Sequence, residues 1–144
     1  MEERRTYIDA SVLIAAFRGE SPTCDRAMQV LSDVRRQLVV SEYLRLEVIP
    51  KPSFHKRYFE VQFMKTVLES AAVVVEPSLE LVSQAVVLAS RYDLTPLDAL
   101  HLSAAISANA DEFVTLEKPT RPLCRVQEIR VISLHSPPKS PAQT

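Results

Sequence analysis

The sequence predicts an α/β fold: a three-layer α/β/α sandwich around a central, mostly parallel sheet of four or five strands. Two observations predict it. Short apolar runs, such as Thr6-Tyr7-Ile8, Leu38-Val39-Val40 and Phe113-Val114-Thr115, alternate with longer stretches whose apolar residues recur every three or four positions. That alternation builds a parallel sheet covered by helices on both faces. A third observation concerns chemistry. Asp9, Glu47, Asp98 and Glu117 each fall after a strand or early in a helix, the edge where such sheets place their sites.

The first strand is expected over residues 5–9 and ends on Asp9. A short helix follows through Val12, Leu13 and Phe17. Ser21-Pro22 predicts a helix start, with serine as N-cap and proline in the first helical position. Ala27, Val30, Leu31 and Val34 give that helix its apolar face. The second strand covers 37–41. The next helix carries Leu44, Glu47 and Val48 and is expected to stop at Pro50 and Pro52. A further helical stretch over 54–70 shows Phe54, Tyr58, Val61, Met64 and Leu68 at helical spacing. Residues 72–75 form a β-branched third strand. Pro77-Ser78 introduces a helix through Leu81, Ala85, Leu88 and Tyr92. Thr95-Pro96 opens another, with Leu97, Leu100, Ala104 and Ala108 toward the core. The fourth and fifth strands cover 112–116 and 130–134.

At 144 residues the chain predicts one domain over 1–135. The segment 136–144, Ser-Pro-Pro-Lys-Ser-Pro-Ala-Gln-Thr, is proline-rich and polar and is expected to be disordered. A hydrophobic fraction of 47% supports a real core, and a net charge of −1 carries no global nucleic-acid signal. Local basic candidates are Arg45, Lys51, Lys56 and Arg57 near Glu47, and Arg121 and Arg125 near Glu117; all of them equally suit a solvated face. Cys24 and Cys124 match no metal-ligand or disulfide spacing, so free thiols in a reducing cytoplasm are expected. No stretch approaches the roughly 18 apolar residues of a membrane span. The single glycine, Gly19, excludes a glycine-rich phosphate loop. Any phosphate must be held by metals and side chains.

Each acid has a structural alternative. Asp9 suits an N-cap, although Ser11 could serve as well. Asp98 completes a capping-box pattern with Thr95 and complements the helix dipole. Glu47 borders the Leu44/Val48 face, whereas Glu42 points elsewhere. Glu117 follows the fourth strand, unlike Asp111 and Glu112 at its amino end, and could equally be a loop glutamate. Thr115 could offer its hydroxyl to a carboxylate. His101, three residues after Asp98, suits a hydrogen-bonded structural role, and no serine–histidine–acid set or zinc-spaced histidine pair is present.

The segments Tyr7-Ile8-Asp9-Ala10-Ser11-Val12-Leu13-Ile14, Leu97-Asp98-Ala99-Leu100-His101-Leu102-Ser103-Ala104-Ala105 and Ala110-Asp111-Glu112-Phe113-Val114-Thr115, with Glu47 between them, resemble the PIN-domain family, including VapC-type toxins. The resemblance spans residues 6 to about 134. It implies a metal-dependent ribonuclease, a hydrolase using Mg²⁺ or Mn²⁺. Asp9, Glu47 and Asp98 match three family acids directly, Ser11 matches the family's serine or threonine, and Thr115 its strand-four threonine. Glu117 takes a position usually held by aspartate, and Lys118-Pro119-Thr120-Arg121-Pro122 departs from the commoner pattern. The resemblance further implies an RNA substrate, a homodimer and an antitoxin partner in the cytoplasm. The aromatic stretch 54–63 could serve either protein contact or be plain core. The alternative is an inactive PIN-like module that binds RNA or protein. A phosphoaspartate mechanism at Asp9 is disfavoured by Ser11, which breaks the aspartate-x-aspartate signature, and by Glu76-Pro77 at the end of the third strand.

Overall fold

The structure is a computed structural model and describes residues 3–135; the segment 136–144, expected to be disordered, lies outside them. In chain order the elements are β1 (Arg4–Ile8), α1 (Ala10–Arg18), α2 (Thr23–Ser32), β2 (Arg36–Ser41), α3 (Glu42–Val48), α4 (Pro50–Phe54) and α5 (Tyr58–Glu69). They continue with β3 (Val73–Val75), α6 (Leu79–Tyr92), α7 (Pro96–Ser107), β4 (Glu112–Thr115), a 3-10 turn (Pro122–Arg125) and β5 (Arg130–Ser133).

The strands pair in the order β3-β2-β1-β4-β5, and every pairing is parallel. The chain therefore steps outward from β1 to β3, then crosses back through α6 and α7 to lay β4 on the other side of β1. The reversal between β1 and β4 opens a crevice at the carboxyl ends of those two strands. Strand periodicity sorts the core into two halves. Ile8, Leu38, Val40 and Val114 face α1–α3 and α5. Tyr7, Val39 and Phe113 face α6 and α7.

Four of the helices begin at polar caps. Asp9, Ser41, Ser78 and Thr95 each accept an amide from the first turn of α1, α3, α6 and α7, which satisfies donors that have no helical partner. Gly19 ends α1, where a Cβ would sit 2.4 Å from the Ala15 carbonyl. At the amino pole of the sheet, Glu112 is 1% exposed. Its Oε2 accepts from Thr6 Oγ1 and from Arg36 Nε, each at 2.8 Å, and Arg4 Nε stands 3.8 Å from Oε1.

Several expectations are corrected. Pro22, not Ser21, occupies the cap position of α2, which lacks a side-chain cap, and the Ser21 hydroxyl donates to Asp25 instead. Val34 falls past the end of α2 and is exposed. Pro50 and Pro52 end α3 but open α4, because proline in a first turn forfeits no helical hydrogen bond. The stretch 54–70 is not one helix. It breaks at Lys56, whose φ of 56° lies in the left-handed region. Lys56 N donates to Ser53 O and Arg57 N to Pro52 O, the pairing that closes a helix end in this way. The break rotates the buried face of α5 to Glu60, Met64 and Val67. Phe54, Tyr58 and Phe59 are left 81%, 70% and 88% exposed, so this part of the stretch is surface rather than core. In α7 the buried set is Ala99 and His101 to Ala105, because the helix is covered by the sheet, α3 and α6 together.

Glu112 therefore ties three strands at the pole remote from the crevice. Glu112→Ala strips Arg36 of its buried partner and is expected to cost roughly 3 kcal/mol. The measurement is the urea midpoint at constant slope.

Candidate active site at the β1/β4 crevice

Asp9 ends β1 and caps α1, so local backbone geometry aims its carboxylate into the crevice. The residue is 7% exposed. Ser11 donates its hydroxyl to Oδ1, Thr115 donates to Oδ2 at 2.5 Å, and the Val12 amide reaches Oδ1 at 3.4 Å. The two hydroxyls also work in reverse across the crevice. Ser11 Oγ accepts from Leu116 N at 3.1 Å, and Thr115 Oγ1 accepts from Glu117 N at 3.1 Å. Each hydroxyl thus donates to the acid of β1 and accepts from the chain leaving β4. Burial still dominates, and it raises the Asp9 carboxyl above its ordinary range against the pull of the Ser11 and Thr115 hydroxyls.

Asp98 lies in the first turn of α7, where its amide donates to Thr95 Oγ1 at 3.3 Å. Its carboxyl is also raised, first by burial. Thr95 lowers it, the Glu117 charge raises it, and the Glu47 charge raises it further. These through-space effects place Asp98 within electrostatic reach of both glutamates. Glu47, at the end of α3, accepts at Oε1 from His101 Nε2, and its second oxygen has no hydrogen-bond partner among the described residues. Glu117 is half-exposed, with Arg121 Nε 3.4 Å from its Oε2. Its carbonyl accepts from Ser133 Oγ at 2.5 Å. The structure thus brings all four acids, Ser11 and Thr115 to one pole. Arg125 turns instead to the Thr120 carbonyl at 3.2 Å.

Two groups escaped sequence reasoning. The Tyr7 hydroxyl, fully buried, bonds both Ser41 Oγ and His101 Nδ1 at 2.6 Å. A tyrosine inside an apolar strand needs a polar partner, and that was the available signal. The second is a cleft of about 300 Å³ beside Glu47, lined also by Arg18, Lys51, His55, Arg57 and Glu60. Arg18 is neutralised there by buried Glu60 at 2.9 Å, while Lys51 and Arg57 have no ion pair among the described residues. Arg45 does not join this cleft. It pairs with Glu42 at 2.6 Å on another face. Cys24 and Cys124 are free thiols.

The donor set at the crevice is all oxygen, the chemistry that hard divalent cations prefer. Among the described residues no three acid, histidine or cysteine side chains converge as a ready-made cage. An ion that retains several waters needs only one or two carboxylates directly, so the residues fit Mg²⁺ or Mn²⁺ as a largely hydrated ion.

A raised carboxyl has a thermodynamic signature. Folded Asp9 holds its proton more tightly than the unfolded chain does. Its contribution to stability is therefore full below the ordinary value of 3.8 and is lost as pH rises through the higher folded value. Asp9→Asn keeps the shape without the charge. It is expected to melt higher than the wild type at neutral pH, with the gain disappearing below the ordinary value. Melting curves across that window check it.

Comparison with known proteins adds the following. A model of the PIN domain family matches residues 6–119. A comparison with curated proteins found no match. Among solved structures, a toxin–antitoxin complex from Klebsiella pneumoniae superposes with a TM-score of 0.70 at 23% identity, covering 89% of this chain and 96% of that one. VapBC2 from Rickettsia felis, bound to a DNA fragment from its promoter, gives 0.67 at 14% identity, with 90% and 98% covered. Mycobacterium tuberculosis VapC20, described as a sarcin–ricin-loop-cleaving toxin, gives 0.66 at 14% identity, with 87% and 98% covered. At these identities the likeness is one of fold.

Proposed function

The chain belongs to the PIN-domain family, and from that premise we propose that it is a metal-dependent endoribonuclease and the toxin of a toxin–antitoxin pair. The observation that carries the reading is the buried Asp9 carboxylate at the β1/β4 crevice, held by Ser11 and Thr115, at the pole where Asp98 feels the charges of Glu117 and Glu47. A carboxylate placed where burial penalises its charge favours a cation. Asp9 and Asp98 would hold Mg²⁺ or Mn²⁺ directly, and Glu47 and Glu117 would hold its waters. When bound, the ion supplies charge neutralisation for a phosphate and acidifies water. Ser11 and Thr115 keep both Asp9 oxygens oriented, and His101 holds one oxygen of Glu47.

RNA is supported as substrate by the cleft beside Glu47, where Lys51 and Arg57 stand within one lining of the acid pole. Phosphates along a strand could follow that basic wall while the scissile one lies over the acids. The neighbouring toxin–antitoxin structures support an antitoxin partner; a homodimer rests on the family resemblance, and the exposed Phe54, Tyr58 and Phe59 offer an apolar contact for either. Among the described residues no helix is long and apolar enough to cross a membrane; we place the protein in the cytoplasm. Glu117 at a position the family usually gives to aspartate, with a net charge of only −1, favours a second reading, an inactive module that binds RNA or protein.

Mn²⁺ calorimetry separates the two. The wild type is expected to bind, and folded Asp98→Asn to lose binding. Asp9→Asn and Asp98→Asn should each cut RNA cleavage by at least about a hundredfold, equivalent to about 2.7 kcal/mol of transition-state stabilisation. Full activity in both folded variants would sink the nuclease reading, and metal-independent RNA binding without cleavage would favour the inactive module. Lys51→Ala and Arg57→Ala should each reduce the salt dependence of single-stranded RNA binding by about 0.7 in the log–log slope. Titrations at several salt concentrations measure it.

A further inference from the structure

Side chains from four elements form one line of hydrogen bonds that ends on Glu47. The Leu44 amide donates to Ser41 Oγ at 3.2 Å, and Ser41 Oγ and His101 Nδ1 each lie 2.6 Å from the Tyr7 hydroxyl. His101 Nε2 then meets Glu47 Oε1. Ser41, Tyr7 and His101 are 1%, 0% and 2% exposed, so water does not compete along the line. Tyr7 also stacks on Phe113, with ring centroids 5.3 Å apart and planes 12° apart, which holds its hydroxyl in place.

One proton arrangement satisfies every member. A carboxylate only accepts, so Nε2 of His101 carries a proton toward Glu47. In the neutral ring Nδ1 is then an acceptor, so Tyr7 spends its single proton there. Tyr7 in turn accepts from the Ser41 hydroxyl, whose oxygen accepts the Leu44 amide. The reverse direction would put a second proton on the ring and leave the Ser41 proton with no acceptor in the line. Ser41 is also the N-cap of α3, the helix that carries Glu47. The helix is thus fixed at its start, and its last acid at its tip, by a single connected set of groups.

We propose that Tyr7 and His101 are positioning residues, and that the relay Ser41–Tyr7–His101 holds Glu47 by one oxygen so that the other alone is presented at the carboxylate pole. This rests on the reading of Glu47 as part of a metal site. Partners that orient a ligand from behind are commonly worth roughly 10–100-fold in metal affinity.

Two measurements test it. The first uses the metal-free protein: ¹⁵N spectra of the histidine rings, with His101 assigned by His101→Gln. His101 is expected as the neutral Nε2-protonated form, with Nε2 moving on Glu47→Gln and Nδ1 moving on Tyr7→Phe. An Nδ1-protonated neutral ring, or an Nε2 signal indifferent to Glu47→Gln, overturns the proposal. The second is Mn²⁺ calorimetry on a double-mutant cycle. Tyr7→Phe should weaken binding at least about tenfold in the wild type and have no further effect in Glu47→Gln. Equal losses in both backgrounds would make Tyr7 merely structural and also overturn it. Should Tyr7→Phe fail to fold, His101→Gln, which retains an N–H toward Glu47, is compared with His101→Leu. Retained affinity in the first alone supports the relay, and equal affinity in both overturns it. A wild type that binds no Mn²⁺ overturns the metal-dependent reading, and the ring spectra still decide the relay.

Discussion

Burial of one carboxylate at the switch point of the sheet organises this protein. Asp9 must lie between β1 and β4 because it ends the central strand of an all-parallel sheet whose strand order reverses beside it. Among the described residues no arginine or lysine pairs with it. Its oxygens are met by Ser11, Thr115 and the Val12 amide. Hydroxyls can both give and take, and here each gives to Asp9 and takes an amide from the chain beyond β4. The acid is therefore a staple between strands more than 100 residues apart and, at the same time, a charge kept short of compensation.

The two poles of the sheet handle charge in opposite ways. At the amino pole Glu112 is as buried as any core residue, but Arg36 and Arg4 attend it. That pole is structural, and its charges cancel. At the carboxyl pole four acids gather, and the arginine paired with them among the described residues is Arg121, on the rim near Glu117. Glutamate charges that raise the Asp98 carboxyl oppose folding, and acids perturbed in this way concentrate at functional sites. The uncompensated charge sits at the pole where parallel sheets bind ligands. Basic groups stand next to it, in the cleft formed by α1, α3, α4 and α5, where they can meet a polyanion without quenching the acids.

The break between α4 and α5 shows how a small backbone choice shapes the surface. A left-handed Lys56 turns the chain, rotates the apolar face of α5 and leaves Phe54, Tyr58 and Phe59 outside the core. It also swings Arg57 into the wall of the cleft beside Lys51 and His55. One turn thus delivers both the exposed aromatic surface and part of the basic wall.

Much of this was legible in the sequence, because periodicity and capping are local. Alternating short and long apolar runs determined the parallel sheet, its two covered faces and the placement of Asp9, Asp98 and Glu117 beyond strand ends or in a first helical turn. Ser78 and Thr95 marked their helices because an N-cap is set by neighbouring residues. Local rules failed where tertiary context competed: at Pro50, where a stop became a new start, and along 54–70, where even spacing concealed a break. Partner identity was decided only by the tertiary structure. Tyr7 and His101 are 94 positions apart, and His101 and Glu47 are 54 apart. Which hydroxyl meets which ring nitrogen depends on the order and register of strands that no local pattern encodes. The sequence by itself supplied the acids and the edge on which they stand. The fold alone chose how each one is held.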